Sequence, residues 1–312
     1  MKMKYVIAGS GAVGGSIGAF LASAGKDVTF LARGAHLKAL QEKGITLKQT
    51  AKGDFTLCPV RAVTMEEYAD TPDVIFVCVK GYSLGEAAEL IRRRAGKETV
   101  VIPVLNIYGT GEQLQKEFPQ LTVTDGCIYV AAHISAPGEI THNGDIFRVV
   151  YGLRPGQEAG AVQLEKLAQV KRDLDESGIY GDYTDQVKRD AFKKFTYVSP
   201  MAAAGEYFHA QAGDFQKEGE PRETFIAMVG ELKALAEAMN LGLQADIVAA
   251  NLKILADLSP QAGTSMQRDI ARGKASEIEG LVYGVEKMAS DYGVDMPVYK
   301  KVIDELKARG LK

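Results

Sequence analysis

The sequence is poor in cysteine. Cys58, Cys78 and Cys127 are the only three among 312 residues, and no two of them form a CxxC pair. Small secreted domains that depend on disulfides carry more cysteines, usually in even numbers. A sparse, odd set is typical of a reducing compartment, where each thiol behaves as a small buried hydrophobe. We therefore expect a cytoplasmic protein rather than a disulfide framework.

An excess of positive charge is also missing, because 37 Lys and Arg face 40 Asp and Glu, for a net charge of -3. Binding to a phosphate backbone requires a clustered positive field, so we expect no nucleic-acid partner.

The sequence has no long apolar run either. Lys2 and Lys4 precede an apolar stretch that resembles a secretory signal, but glycines interrupt it. No run approaches the ~18 apolar residues of a membrane span, so we expect no membrane association.

Metal-ligand spacing is absent among the histidines, which are His36, His133, His142 and His209. Structural and catalytic metal sites usually place their ligands at short, regular separations. We therefore expect no metal. A length of 312 residues allows two domains of roughly 100–200 residues each.

The N-terminal part of the sequence alternates between strand-like and helix-like segments. Strands are predicted over residues 4–8, 27–32, 73–79 and 99–104, and helices over 12–24 and 84–94. Continuous apolar runs such as 73–79 are typical of parallel strands that are covered on both faces. This order predicts an α/β fold that begins with a Rossmann-type, doubly wound sheet.

The pattern changes after residue 121. Strand-like segments separated by turns at Pro137-Gly138 and Asn143-Gly144 predict antiparallel additions to the same sheet. A helix over 157–176 follows, and after about residue 184 only helical spacing remains. We expect a dinucleotide-binding domain over residues 1–183 and an all-helical C-terminal domain over 184–312, whose last helix begins near Pro297.

A G-x-G-x-x-G pattern lies between the first strand and the first helix. It comprises Gly9, Ser10, Gly11, Ala12, Val13 and Gly14. In this context the first glycine permits a tight turn, the second lets the backbone approach a pyrophosphate, and the third lets the helix pack closely on the strand. The free amides of the helix start face the anion. The segment therefore predicts a bound dinucleotide.

The end of the second strand indicates which dinucleotide is bound. An NAD site usually has an acidic residue there, whereas this strand continues into Ala32 and Arg33. A guanidinium can bind a 2′-phosphate with a forked pair of donors, and a carboxylate would repel it. We therefore expect NADPH, the alternative being that Arg33 is a surface arginine.

Reduction of a ketone requires a proton donor and a group that holds the substrate. Lys80 and Asn106 each follow a predicted strand, at the edge where ligands bind doubly wound sheets. Lys193 and Lys194 begin an apolar helix and form either a cleft pair or a solvated pair, and the pattern alone favours the solvated pair. Ser265, Asp269 and Glu277 carry no local mark of catalysis. The residues alone thus predict a dinucleotide oxidoreductase and leave its substrate open.

Eight groups of residues are similar, in order and spacing, to one known family. They are 9–15, 31–37 with 42–47, 79–82, Asn106 with 109–110, 136–142, 192–194, 264–269 and 276–279. By these segments the chain resembles the ketopantoate reductases (2-dehydropantoate 2-reductases) over nearly its whole length. The resemblance implies NADPH-dependent reduction of a small 2-oxo acid, ketopantoate, to pantoate in the biosynthesis of pantothenate and coenzyme A.

The resemblance also implies roles for individual residues. The family's general acid is a lysine two positions after an aromatic residue, and Lys194 follows Phe192 in this way. A glutamate twelve residues after a serine holds the substrate hydroxyl, which implies Ser265 and Glu277. Asn106 matches an asparagine near nicotinamide and substrate, and Lys80 matches the crevice lysine.

Four positions depart from the family pattern. Val198, Ala202 and Ala262 replace asparagines, and Ile107 replaces a glycine. Each polar bond that is not made could cost roughly 1–3 kcal/mol. Two alternatives therefore stay open: a paralogous reductase of another 2-oxo acid, and a non-enzymatic NADP-binding regulator. Retention of Lys194 with Glu277 argues against the regulator. Helical second domains often mediate dimers, so a homodimer is one of the oligomeric states left open.

Overall fold

The computed structural model describes residues 2–49 and 53–312. The described chain forms two compact units. The first takes the described residues up to Leu105 together with Gly109–Val187, and the second takes Asn106–Tyr108 together with Lys188–Lys312. Among the described residues, none of the helices combines the length and the apolar content that crossing a bilayer requires.

All the described strands belong to the first unit. They are β1 (Lys4–Ala8), β2 (Asp27–Leu31), β3 (Ile45–Gln49), β4 (Phe55–Leu57), β5 (Arg61–Val63), β6 (Val74–Val77), β7 (Val100–Pro103), β8 (Thr122–Val123), β9 (Asp125–Ala136), β10 (Glu139–Gly152) and β11 (Tyr180–Tyr183). The helices of this unit are α1 (Ala12–Ser23), α2 (Gly34–Lys43), α3 (Leu84–Arg94), α4 (Thr110–Glu117) and α5 (Ala161–Glu176).

A parallel sheet forms the first layer of this unit, with six described strands in the order β5-β2-β1-β6-β7-β8. Every pairing in it is parallel. The apolar run of β6 is fully buried from Val74 to Val77, as expected for a strand that is covered on both faces. The predicted doubly wound sheet is therefore confirmed.

The prediction for residues 121–151 was wrong in two respects. Asn143-Gly144 is not a turn between strands, because β10 continues through it and only its register with β9 shifts between Asn143 and Phe147. The assignment to the first sheet was also wrong. Strands β9 and β10 are antiparallel to each other, but with β3, β4 and β11 they form a separate mixed sheet in the described chain. Strand β10 is long enough to pair with β3 through Glu139–His142 and with β11 through Arg148–Tyr151. Of the strands described between residues 121 and 152, β8 alone extends the first sheet, and it runs parallel to β7.

Helix α1 connects the two sheets through small residues. A side chain at Gly18 would collide with the Phe30 ring of β2, and one at Gly15 would collide with the end of Ile140 in β10. Because both positions are glycine, the helix lies close to both sheets. Its amino end is thereby fixed next to the carboxyl ends of the parallel strands.

The second unit is helical, which confirms the predicted C-terminal architecture. Its helices are α6 (Val187–Phe208), α7 (Ala212–Gln216), α8 (Glu220–Ala238), α9 (Ile247–Ala256), α10 (Ser265–Ala271), α11 (Gly284–Asp291) and α12 (Pro297–Ala308), with a π-turn over Glu279–Tyr283 before α11. Pro297 is the first residue of α12, as predicted. The Glu231 carboxylate accepts hydrogen bonds from the N–H groups of Val298 and Tyr299 at 2.7 and 2.9 Å, which caps this helix.

Candidate functional site

The glycine-rich loop is pressed tightly against the parallel sheet. Gly9 has a φ of +94°, and a Cβ there would lie 2.9 Å from Val79 Cγ1. A Cβ on Gly14 would collide with the Gly9 carbonyl and lie 2.7 Å from Ile7 Cγ2. The N–H of Ser10 donates to the Leu31 carbonyl at 2.9 Å. The loop therefore has room for glycine alone at its two ends.

The middle of the loop is open. A Cβ on Gly11 would meet no atom within 4 Å, although Gly11 has ordinary extended backbone angles. Helix α1 starts directly afterwards, with neither a side-chain cap nor an acidic residue in its first turn. The first amides of a helix lack intrahelical acceptors and attract anions. Residues Gly11 to Gly14 thus fit the diphosphate of a dinucleotide.

Arg33 lies two residues beyond the end of β2. Its side chain is 74% exposed, and its guanidinium makes a forked ion pair with the Glu86 carboxylate, at 3.1 and 3.2 Å. Exposed ion pairs contribute little, so a phosphate could take the place of the carboxylate. Sequence reasoning missed Glu86, which the fold brings to Arg33 from the first turn of α3.

His36, one turn after Arg33 in α2, was also missed. Its Nδ1 accepts a hydrogen bond from the N–H of Gly138 at 3.1 Å, so the proton of the neutral ring is on Nε2. Burial lowers the pKa of His36, and the backbone of Ser10 opposes this shift. The ring therefore connects α2 to the turn between β9 and β10, beside the glycine-rich loop.

The two residues predicted to follow strands lie where expected in the chain. Lys80 is half-buried after β6, and its carbonyl accepts the N–H of Ser83 at 2.8 Å in a 3-10 turn. Asn106 lies three residues beyond β7 and is grouped with the helical unit.

Asn106 and Lys194 contact each other directly. The Lys194 ammonium donates to Asn106 Oδ1 at 2.6 Å. Lys194 is half-buried, whereas its neighbour Lys193 is exposed. Lys194 is therefore part of a polar site within the helical unit. The two lysines are not a solvated pair, because Lys193 alone is exposed.

Aromatic rings hold the Asn106 segment on helix α6. The Tyr108 ring meets Phe192 edge to face, with centroids 4.9 Å apart, and lies 6.1 Å from the ring of Phe195. Both phenylalanines are buried and flank Lys194 in the sequence. This packing fixes Asn106 and Lys194 relative to each other. In the sequence, Tyr108, two positions after Asn106, was the feature that could have indicated this packing.

Glu277 is buried, with 5% of its surface exposed, just before the π-turn. Its carbonyl accepts the N–H of Leu281 at 2.9 Å. Gly280 in this turn faces Ile107, the neighbour of Asn106, and a Cβ on Gly280 would lie 2.7 Å from Ile107 Cγ1. The segment that carries Glu277 therefore packs against the segment that carries Asn106.

Ser265 lies on a different helix, as the half-buried first residue of α10. Thr264 caps this helix, because its hydroxyl accepts the N–H of Gln267 at 3.2 Å.

Two of the positions that depart from the family pattern lie on α6. Val198 follows Lys194 by one helical turn on the same face and is half-buried, whereas Ala202 is fully within the core. In the described part of the chain, no group of three or more His, Cys, Asp or Glu side chains could hold a metal ion.

Two curated relatives cover nearly the whole chain. "Uncharacterized oxidoreductase YkpB" of Bacillus subtilis is 26% identical over 306 residues, which covers 97% of this chain and 98% of the relative. "2-dehydropantoate 2-reductase" of Aquifex aeolicus is 26% identical over 316 residues, which covers 100% of this chain and 98% of the relative.

Solved structures share the fold. A 2-dehydropantoate 2-reductase from Methylococcus capsulatus has a TM-score of 0.86 at 23% identity and covers 99% of this chain and 97% of its own. The ternary structure of D-mandelate dehydrogenase with NADH and anilino(oxo)acetate has a TM-score of 0.86 at 20% identity and covers 98% of both chains.

Family models match both parts of the chain. "Ketopantoate reductase PanE/ApbA" matches residues 5–156, and "Ketopantoate reductase PanE/ApbA C terminal" matches residues 186–310. Together they cover most of the sequence, which therefore belongs to the ketopantoate reductase family.

Proposed function

We propose that the protein reduces ketopantoate to pantoate with NADPH, and that Lys194 is the general acid. The observation that carries the proposal is the 2.6 Å hydrogen bond from the Lys194 ammonium to Asn106 Oδ1. Family membership and relatives such as the Aquifex aeolicus reductase support the substrate. With that substrate, the protein would act in the biosynthesis of pantothenate and coenzyme A.

Lys194 has the chemistry that ketone reduction needs. A half-buried ammonium polarises a carbonyl and gives a proton to the oxygen as negative charge develops on it. An ammonium has three N–H donors, and Asn106 Oδ1 accepts one of them. This bond would fix the position of the Lys194 ammonium, from which it would donate to the substrate oxygen.

Glu277 and Ser265 would bind the rest of the substrate. A carboxylate accepts hydrogen bonds, so Glu277 would hold the hydroxyl of the substrate. It would repel a substrate that carries a carboxylate in place of this hydroxyl. Glu277 is almost fully buried, which strengthens a bond to a neutral hydroxyl. Ser265, at the start of α10, would contribute a hydroxyl to substrate binding.

The cofactor would be held by the residues of the first unit, and when bound it supplies the hydride. Gly9, Ser10, Gly11, Ala12, Val13 and Gly14 would form the cradle for the diphosphate. Arg33 would bind the 2′-phosphate in place of Glu86, and this exchange is the reason for proposing NADPH. Lys80, which follows β6 in the same unit, would complete these contacts.

Reduction of another 2-oxo acid is the second candidate. Val198 is apolar, half-buried and one helical turn from Lys194, so it favours a substrate with an apolar group at that position. D-mandelate dehydrogenase, whose solved structure contains anilino(oxo)acetate, has the same fold. Both candidate functions use Lys194 as the general acid. They differ in the substrate group that would lie near Val198.

NADPH oxidation by the purified protein tests both candidates. The panel contains ketopantoate, its analogue without the hydroxyl, and aryl 2-oxo acids. The highest kcat/KM with ketopantoate supports the proposal. A preference of tenfold or more for an analogue without the hydroxyl contradicts it and supports the second candidate. Absence of turnover with every acid, while NADPH still binds, contradicts both and favours a regulatory protein.

A further inference from the structure

Three buried groups meet at the π-turn that follows Glu277. Ser199 lies on α6, five residues after Lys194, and is fully buried. Its Oγ lies 2.6 Å from the carbonyl oxygen of Leu281 and 2.7 Å from the hydroxyl oxygen of Tyr299. The helix that carries Lys194 is thus bonded to the π-turn and to α12 at one point.

The direction of both bonds follows from the chemistry of the groups. A carbonyl oxygen can only accept, so the Ser199 hydroxyl donates its one proton to Leu281. The Tyr299 hydroxyl must then donate to Ser199 Oγ. Tyr299 is buried, and burial raises its pKa well above the usual value, so it stays a neutral donor.

The backbone of Leu281 connects Ser199 to Glu277 through two hydrogen bonds. While its carbonyl accepts from Ser199, its N–H donates to the Glu277 carbonyl at 2.9 Å. On its other side, Gly280 packs against Ile107, the neighbour of Asn106. Single turns of π-helix, such as this one, are rare in proteins, but those that occur are frequently at functional sites. Here it touches the segments of Lys194, Asn106 and Glu277 together.

We propose that Ser199 and Tyr299 are positioning residues which, through Leu281, fix Glu277 relative to Lys194 and Asn106. The inference rests on the proposed function, because Glu277 is there the group that holds the substrate. It assigns a purpose to a hydroxyl pair that touches neither substrate nor cofactor.

Kinetics of variants test the consequence for the reaction. Ser199→Ala removes the donor to Leu281 and leaves the Tyr299 hydroxyl without its acceptor. A displacement of about 1 Å in a catalytic constellation can cost about 100-fold, so we expect kcat/KM for the 2-oxo acid to fall about 10- to 100-fold. Tyr299→Phe keeps the Ser199 donor and should cost about threefold. The affinity for NADPH should be unchanged in both, and Ser199→Thr, which keeps a hydroxyl, should restore most of the activity.

Tyr151→Phe is the matched control. Tyr151 is also fully buried, and its hydroxyl donates to the Leu167 carbonyl at 2.7 Å in the first unit. It should lose thermal stability much as Tyr299→Phe does, but keep its kcat/KM. If both tyrosine variants lose the same share of activity, the effect is one of stability and the proposal fails.

Crystal structures of the wild type and of Ser199→Ala decide the positioning claim without any turnover. A shift of the π-turn and of the Glu277 carboxylate relative to Lys194 supports the proposal, whereas an unmoved Glu277 overturns it. If the wild type reduces no 2-oxo acid, the proposed function fails, and the crystal structures still decide whether Ser199 holds Glu277 in place.

Discussion

The Gly11→Ala variant distinguishes the contribution of the glycine-rich loop to stability from its proposed role in cofactor binding. In the structure Gly11 has a φ of -69° and a ψ of -160°, which alanine adopts without strain. Its Cβ would meet nothing within 4 Å. The protein without cofactor should therefore tolerate the change, and its free energy of unfolding should stay equal or rise by about 0.4–1 kcal/mol, because alanine restricts the unfolded chain.

The affinity for NADPH should respond very differently. The added methyl would occupy the space next to the first amides of α1, where we propose that the diphosphate approaches the backbone. Hydrogen bonds to a charged group contribute about 1.5–3 kcal/mol each. Losing or lengthening one or two of them should weaken binding by about 3 kcal/mol, which corresponds to about a 100-fold higher Kd.

Calorimetric titration with NADPH and thermal unfolding measure the two effects separately. Gly14→Ala is the control, because its Cβ would collide with the Gly9 carbonyl and lie 2.7 Å from Ile7 Cγ2. That variant should be destabilised even without cofactor, by about 1–3 kcal/mol. Wild-type NADPH affinity in Gly11→Ala would refute the assignment of this loop to the diphosphate.

Three further predictions concern single side chains. Lys194→Ala should lower kcat about 100-fold or more while NADPH binding persists, and exposed Lys193→Ala should keep its activity; unchanged steady-state turnover in Lys194→Ala would remove that lysine from the reaction. Arg33→Asp should lower the ratio of the kcat/KM values for NADPH and NADH by about tenfold or more, and an unaltered ratio would show that the 2′-phosphate is held elsewhere. Burial lowers the pKa of His36 in the folded protein, so its contribution to stability is present above pH ~6.5 and is lost as the pH falls through the folded pKa. His36→Gln should therefore flatten the pH dependence of unfolding below pH ~6.5, and an identical slope in both proteins would contradict this.

Four strands of the first sheet, β1, β2, β6 and β7, were predictable because they are marked locally, whereas β5 was not predicted. Continuous apolar runs such as Val74–Val77 are buried on both faces, and the glycine pattern requires a strand before it and a helix after it. The second sheet was not predictable in this way. Strand β3 is short and pairs with β10, about ninety residues further along the chain, so its partner leaves no local signal.

The candidate site shows the same limit. Lys193 and Lys194 are adjacent and chemically identical, and only the fold makes one exposed and bonds the other to Asn106. The pattern alone favoured two surface lysines, and the family resemblance was needed to select Lys194. Glu86 and Ser199 gave no signal, because the groups that they contact come from distant parts of the sequence.

Transfer of deuterium from NADPH that is labelled at the reactive position of its nicotinamide follows the proposed hydride transfer itself. We expect the wild-type protein to convert ketopantoate to pantoate with one deuterium on the former carbonyl carbon, and Lys194→Ala to form about 100-fold less of this product in the same time. Pantoate without deuterium, or no hydroxy acid from any 2-oxo acid tested, would contradict it.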